Sequence, residues 1–572
     1  MVIAEIRKQE PKRRRRRGAK AREQGGATSG ANRRQVNIDD DNDNDDGALH
    51  VTVTKTHAAH QQVTTENGEK ASIKIKKGKH KIKPKKARPG EEGYLTPTQL
   101  RNARKRRAKQ RAAEKNNGSP TSQSAGNMCD KKQMKSSSAG KHCADPSQKY
   151  WNDPKSCPAV RTAKQFFQSM IPTDRTFHIH LGPVKGWRTV SKLAVRRNRV
   201  DPTNAAPDIG LFAFGTHEIV ASYQTFPAHH KSINTAIEVV REACKKFRIL
   251  AYSEHDGSGL LRYLAVNVER LTGAVQITLV WNSKPTDIKL VDDDVAGKSV
   301  SAAASLQQLT KYLISAASNT SSFVLHSLWV HFHSSWKHNN AIFGREKGSW
   351  KLIHGPDSID EVLKFDIVDW KVPPKIHLRF PPNVFRQANL DAFTHIIQSI
   401  RMILEKHVKA INKYCRCLEL YGGVGTIGLH IADLMKSFVS SDENPHNLNC
   451  FSAAVASIAD ESVRQKIKNY VPKSALDMVN AGALSNADIC IVDPPRKGLE
   501  EGVTSALIKQ GPVKLLVYVS CGFDAFQRDC TMLVDGGWKL VHAEGHILFP
   551  GADAIESLAI FSRNDSESTA FC

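Results

Sequence analysis

The sequence predicts an α/β protein in three parts. A C-terminal doubly wound, Rossmann-like domain (372–572) is preceded by an α+β domain (146–371) and by a disordered basic N-terminal extension (1–145). Three observations predict this. From about Lys371, the short apolar strands "CLELY", "SFVSSD", "ADICIVDPP" and "KLLVYVSC" alternate with helical stretches, the pattern of a parallel sheet buried on both faces. The central stretch mixes alternating strand-like segments with amphipathic helices, as in an α+β domain with a largely antiparallel sheet. The first quarter is rich in charge and almost free of aromatics.

The extension carries most of the charge. Residues 1–150 hold 36 Lys/Arg against 16 Asp/Glu, about +20 of the chain's formal +26. Runs such as "PKRRRRRGAK", "KIKKGKHKIKPKKARP" and "TPTQLRNARKRRAKQRAAEK" cannot bury enough apolar area to offset the entropy of ordering. They suit a polyanion partner or nuclear import. "DDDNDNDDG" lacks the glutamate that a calcium loop carries at its twelfth position and reads as a solvated charge run.

In the central domain, "TFHIHLG", "TVSKLAV", "DIGLFAF", "HEIVASY", "YLAVNVER", "AVQITLVW" and "VLHSLWVHF" read as strands. "SINTAIEVVREACKKF" and "AAASLQQLTKYLISAA" have helical spacing. Arg188, Lys192 and Arg196 in "GWRTVSKLAVR" are candidate phosphate contacts.

In the C-terminal domain two helices are expected in "QANLDAFTHIIQSIRMILEKH", ahead of the first parallel strand. In such a fold ligands bind at the carboxyl ends of the strands, where Gly422, Asp442, Asp493 and Cys521 fall. "LELYGGVGTIGLHIA" is a strand, a glycine-rich turn and a helix start, and "VSSDENP" sets Asp442 where a carboxylate grips ribose hydroxyls. Together they point to an adenosine-type cofactor. "IVDPPRKGLE" has Arg496 where amino-directed methyltransferases place a base-stacking aromatic, so an exocyclic amine is disfavoured as the target. Cys521 follows one strand later. By default a strand-end cysteine is a core thiol, and its neighbours decide otherwise.

"LELYGGVGTIGL", "DPPRKGL", "YVSCGFDAFQRD" and "LFPGADAIES" occur in the order of the motifs of the S-adenosylmethionine-dependent RNA (uracil-5-)-methyltransferase family, which the chain resembles over roughly residues 180–563. The resemblance implies 5-methyluridine formation in tRNA or rRNA. It implies Cys521 as nucleophile, Glu556 as general base and Arg496 as the group steadying the uracil and the cysteine. It places S-adenosylmethionine against Gln387, Tyr421, Thr426, Asp442 and Asp493. Two departures stand out: Thr426, where asparagine is common in bacterial members, and Gly522 after the cysteine, where asparagine is again common. Phe549 and Pro550 are expected to shape the base pocket.

The chemistry asks for these residue types. Carbon 5 of uracil is a poor nucleophile, and thiolate addition at carbon 6 makes it enolate-like. A cation favours the thiolate and the charge on the uracil carbonyl, and a carboxylate removes the carbon-5 proton. The target base must be flipped out of folded RNA.

Two other readings stay open. One is an RNA cytosine-5 methyltransferase, against which the absence of cysteine from "DPPRKG" counts. The other is a non-catalytic RNA-binding protein on the same fold. No apolar run of membrane-spanning length is present. Cys415 and Cys417 have the wrong spacing for a zinc knuckle, and Cys129, Cys143 and Cys157 lack that of an iron–sulfur cluster, so no metal is expected. The chain is expected to be a monomer in the nucleus or cytoplasm, with organelle import left open.

Overall fold

A computed structural model describes residues 148–171, 176–198, 206–212, 219, 226–287, 301–335, 342–343, 348–366, 371–411, 413–509 and 511–563, with the backbone of short strands at 52–53, 63–64 and 70–71. The expectation of disorder over 1–145 and most of "HEIVASY" therefore lie outside the described residues. Residues 135–572 form one compact unit.

Its larger sheet has eight strands: β1 (His178–Leu181), β10 (Arg416–Leu420), β11 (Ser437–Ser441), β12 (Ile467–Val471), β13 (Ile489–Val492), β14 (Leu515–Ser520), β15 (Lys539–Ile547) and β16 (Glu556–Ser562). The spatial order is β12-β11-β10-β13-β14-β16-β15-β1. The first five strands are parallel; β16 runs antiparallel to both β14 and β15, and β1 lies parallel to β15. Every residue of β13 and β14 is buried, which explains their unbroken apolar sequence.

One face of the sheet is covered by α4 (Leu390–Ala410) and α5 (Asn447–Ala456). The other is covered by α1 (Pro158–Met170), α7 (Ala475–Asn480), α8 (Glu501–Ile508) and α9 (Phe523–Asp535).

The second sheet has the order β7-β6-β5-β4-β2-β3. Its strands are β2 (Val190–Arg196), β3 (Asp208–Gly210), β4 (Leu261–Val268), β5 (Val275–Trp281), β6 (Leu325–Phe332) and β7 (Trp350–His354). It is antiparallel except for β5 with β6. Helices α2 (Lys231–Phe247) and α3 (Ala302–Asn319) bury their apolar stripes against it, as the helical spacing of those segments predicts. A two-stranded ribbon, β8 (Ile359–Glu361) with β9 (Leu378–Phe380), follows.

Four elements differ from the sequence reading. The two helices expected before the first parallel strand are one, α4, because Asn389 caps it on Ala392 N–H and no glycine or proline interrupts 390–410. The glycine turn leads into two short 3-10 turns, Gly428–His430 and Ala432–Leu434, instead of an α-helix. There Gly428 N–H donates to the Glu419 carboxylate (2.8 Å), a tie that competes with the helical ladder. Strands β12 and β15 carry weak patterns: β12 is an edge strand with Lys468 and Asn469 exposed, and β15 holds Glu544 and His546 at part-buried and buried positions. Finally, "TFHIHLG" belongs to the C-terminal sheet as β1, not to the central one, and α1 before it packs on the same body. Its alternation of histidine with an apolar residue, exposed at three of four positions, gave no sign of which sheet it would complete.

Candidate active site

Strands β10, β11, β13 and β14 end on the same side of the sheet, and β16, being antiparallel, begins there. Ser520 pairs with Ser557, so Cys521 and Glu556 are the next residues of two adjacent strands at one edge. They share a cavity of about 530 Å³ with Phe385, Gln387, Tyr421, Gly423, Asp442, Asp493, Arg496 and Phe549 among its lining residues. Of the eight site residues read from the sequence, seven line it. Thr426 does not; its carbonyl accepts from His430 Nδ1 (2.8 Å) behind the turn.

The glycine turn builds one half of the cavity. Tyr421 and Gly423 both have left-handed backbone (φ +59° and +57°), and a Cβ on Gly423 would project into open space, a cradle suited to a ligand lying on the backbone. Asp442 accepts from Gly423 N–H (3.1 Å), Asn444 N–H (2.9 Å) and Asn447 Nδ2 (3.0 Å). Tyr470 donates to the Gly423 carbonyl (2.9 Å) from β12, two strands away in the sheet. Asn444, Asn447 and Ser474 line this half and were not singled out from sequence.

Glu419 was also missed. It is buried under the turn, accepts from Gly428 N–H and Ser440 Oγ (2.6 Å), and burial pushes its carboxyl up to about 7. Its signal was available: a charged residue inside the apolar strand "CLEL" needs buried partners.

Two further devices fix the walls. Tyr421 donates to Glu500 Oε2 (2.7 Å), tying the first strand end to the segment after "DPPRKG". Gln387 is held through its neighbour Arg386, which is buried, pairs with Glu361 and donates to the Val268 carbonyl (2.9 Å). Arg270 completes that network by pairing with Glu361 (2.8 Å) and Asp391. The second sheet thus anchors the loop that delivers Gln387.

The other half of the cavity is acidic. Burial raises Asp493 to about 7, with Asp442 adding to the effect. Burial raises Glu556 well above the usual carboxylate range, with Asp493 adding and Arg496 opposing. The Cys521 thiol is pushed up to about 12 by burial, then by Glu556 and Asp493, while Arg496 lowers it. Glu556 Oε1 is buried without a hydrogen-bond partner among the described residues. In the free protein Cys521 is therefore a thiol at neutral pH, and Arg496 is the charged side chain that works toward the thiolate.

The motif around Cys521 is braced from beneath. Asp529 is buried and accepts from Tyr518 OH (2.7 Å) and Leu499 N–H (2.8 Å). Its neighbour Arg528 donates to the carbonyl of Lys497 (3.1 Å). The same helix that follows the cysteine therefore holds the loop that follows Arg496.

A second cavity of about 380 Å³ adjoins the first, sharing Phe385, Gln387, Arg496 and Phe549, and is lined by Arg188 and Lys192. Lys192 is exposed, lies over the Phe343 ring (4.9 Å), and has its pKa lowered by partial desolvation. Arg196 is engaged by Glu254 (2.5 Å) and does not line either cavity. His542 and His546 line neither, and Cys530 is fully buried.

Strand order, glycine turn, acidic strand ends and a strand-end cysteine define the class: a nucleotide-cofactor methyltransferase of the doubly wound type. No protein-family model matches the chain. An uncharacterized RNA methyltransferase of Protochlamydia amoebophila is 33% identical over 389 residues, 67% of this chain and 88% of that protein. A second, from Enterococcus faecalis, is 24% identical over 369 residues, 62% of this chain and 67% of that protein. Among solved structures, the Pyrococcus abyssi tRNA (uracil-54, C5)-methyltransferase in complex with S-adenosyl-L-homocysteine superposes with a TM-score of 0.50 at 18% identity, covering 70% of this chain and 82% of that one.

The chain belongs to a family of RNA methyltransferases. It is an RNA methyltransferase. Among the described residues no helix is long and apolar enough to cross a membrane.

Proposed function

We propose that the protein converts a uridine of tRNA or rRNA to 5-methyluridine through a covalent Cys521 adduct. One observation carries the reading: Cys521, Glu556 and Arg496 meet in one cavity, with a carboxyl oxygen of Glu556 that has no hydrogen-bond partner among the described residues.

The glycine turn, Asp442 and Gln387 fit the adenosine and amino-acid ends of S-adenosylmethionine, with the open face of Gly423 as the cradle. When bound, the donor supplies an electrophilic methyl group. The protein's own residues do the rest. Cys521 gives its thiol proton to solvent, and the thiolate Sγ adds to carbon 6 of the flipped uracil, so electron density moves to carbon 5 and to the carbonyl at carbon 4. Arg496 is placed to meet that negative charge and to favour the thiolate. Once carbon 5 carries the new methyl, Glu556 as carboxylate takes the carbon-5 proton and the carbon–sulfur bond breaks. Phe549, shared by both cavities, offers a stacking face for the base, and Arg188 and Lys192 offer cations for the flanking phosphates.

The test uses 5-fluorouridine-substituted tRNA and rRNA transcripts with labelled donor. A covalent protein–RNA adduct that disappears in Cys521→Ala is the expected result. Label appearing in cytosine, or transfer that persists in Cys521→Ala, would defeat the proposal.

A further inference from the structure

On the far edge of the eight-stranded sheet, β1 and β15 bring histidines onto one face. His546 pairs in register with His180, and Glu544 lies two residues before His546, hence on the same side of β15. His542, two residues earlier again, joins them. We propose that His180, Glu544 and His546 form a zinc site that fastens β1 to the sheet, separate from the methyl-transfer cavity.

The ligand atoms converge. His180 Nε2 lies 3.5 Å and His546 Nε2 3.2 Å from Glu544 Oε2, and the three atoms lie within 4.8 Å of one another. Bonds of about 2.0–2.2 Å to a tetrahedral zinc place neighbouring ligand atoms about 3.3 Å apart. The two nitrogen–oxygen distances bracket that edge and are long for charge-assisted hydrogen bonds. The two imidazoles lie side by side, ring centres 4.7 Å apart, and the His180 side chain is half-exposed.

The surroundings suit an ion as well. His546 is buried and its Nε2 has no well-aligned hydrogen-bond partner. Glu544 is oriented by Ser399 Oγ on Oε2 (2.8 Å) and by His542 Nε2 on Oε1 (2.8 Å), the kind of outer partners that metal-ligating carboxylates carry. A small cavity of about 120 Å³, lined by His180, His395 and His546, leaves room for a fourth ligand, water or the His395 imidazole. Imidazole with carboxylate is a zinc-type donor set. No spacing motif announces the site, because its ligands come from opposite ends of the described chain.

The experiment uses the untagged full-length protein. After chelation and dialysis, zinc is titrated in by calorimetry and counted by mass spectrometry, and cobalt is added to a parallel sample. One equivalent of zinc is expected, with a higher melting temperature and an intense tetrahedral cobalt band. His180→Ala, at an exposed position, is expected to bind zinc roughly 100-fold more weakly or worse. Its unliganded melting temperature should match that of the unliganded wild type, and methyl transfer should persist. His180→Asn, which keeps a polar side chain, should behave alike. No zinc uptake by the wild type, or uptake equal in both His180 variants, overturns the proposal and leaves a hydrogen-bonded histidine–glutamate cluster.

Discussion

Gly522 lies flat against the backbone of Arg496. A Cβ on Gly522 would come within 2.9 Å of the Arg496 Cα and carbonyl carbon, and closer still to its carbonyl oxygen. The glycine is required by this close approach and not by its backbone angles, since its φ is −129°. Asparagine, common at this position in the family, does not fit unless the Arg496 loop retreats.

Gly522→Ala is therefore expected to displace Arg496 from the cysteine. A displacement near 1 Å costs about 100-fold in rate. Single-turnover kinetics should show that loss while binding of S-adenosylhomocysteine changes little. An alanine variant with wild-type turnover would mean that the Arg496 loop moves freely.

The second prediction concerns Cys521 in the free protein, where burial and the Glu556 and Asp493 carboxyls push the thiol up to about 12. Iodoacetamide labelling of Cys521, followed by peptide mass spectrometry, should be slow at pH 7.5 and should rise about tenfold per pH unit through pH 10. Arg496→Gln removes the side chain that lowers the thiol and should slow labelling further at each pH. A plateau below pH 9 would contradict this.

Asp493 supplies the third. Its carboxyl is raised from 3.8 to about 7, so the folded protein takes up a proton that the unfolded chain releases. The stability it contributes is complete below pH 3.8 and is lost as pH rises through 7. Glu419, raised from 4.5 to about 7, acts in the same direction and remains in the variant. Asp493→Asn should melt like the wild type near pH 4 and roughly 3 °C higher at pH 8, while methyl transfer is lost. A variant less stable than the wild type at pH 8 would refute the assignment.

Arg401 supplies the fourth. It is fully buried on α4, meets Asp433 with two hydrogen bonds (2.6 and 2.9 Å) and donates to the His430 carbonyl (2.7 Å) beneath the glycine turn. Removing one partner of such a pair strands the other charge, at about 3–5 kcal/mol. Arg401→Ala should lose about that much in urea unfolding, whereas Arg401→Met with Asp433→Leu should recover much of it.

Much of the site could be read from the chain because its residues sit at strand ends, and strand ends are marked by where apolar runs stop. Tyr421, Asp442, Asp493 and Cys521 each follow such a run, and all four line one cavity. Thr426 falls outside the cavity because turn residues are positioned by hydrogen bonds, here Gly428 N–H to Glu419 and His430 Nδ1 to the Thr426 carbonyl, that no local pattern encodes. Asn444, Asn447 and Ser474 were missed for a related reason: polar residues after a strand are ordinary in sequence and acquire meaning only when Asp442 and the cavity organise them. In the fold, buried central strands were legible and β1 was read as a strand though placed in the wrong sheet, whereas the edge strand β12 was missed, since a half-solvated strand resembles a loop in composition.

The membership of β1 in the larger sheet changes what counts as a domain boundary. The chain lays down one strand of the catalytic body, departs to build the entire second sheet, and returns. The second sheet is thus an excursion within the catalytic fold, not a separate module joined in front of it. A fragment starting at residue 372 would lack both β1 and α1 and would leave β15 with an unpaired edge, an invitation to aggregation. During synthesis, likewise, the residues that close the sheet emerge first and must wait for their partner strand, the last but one to be made.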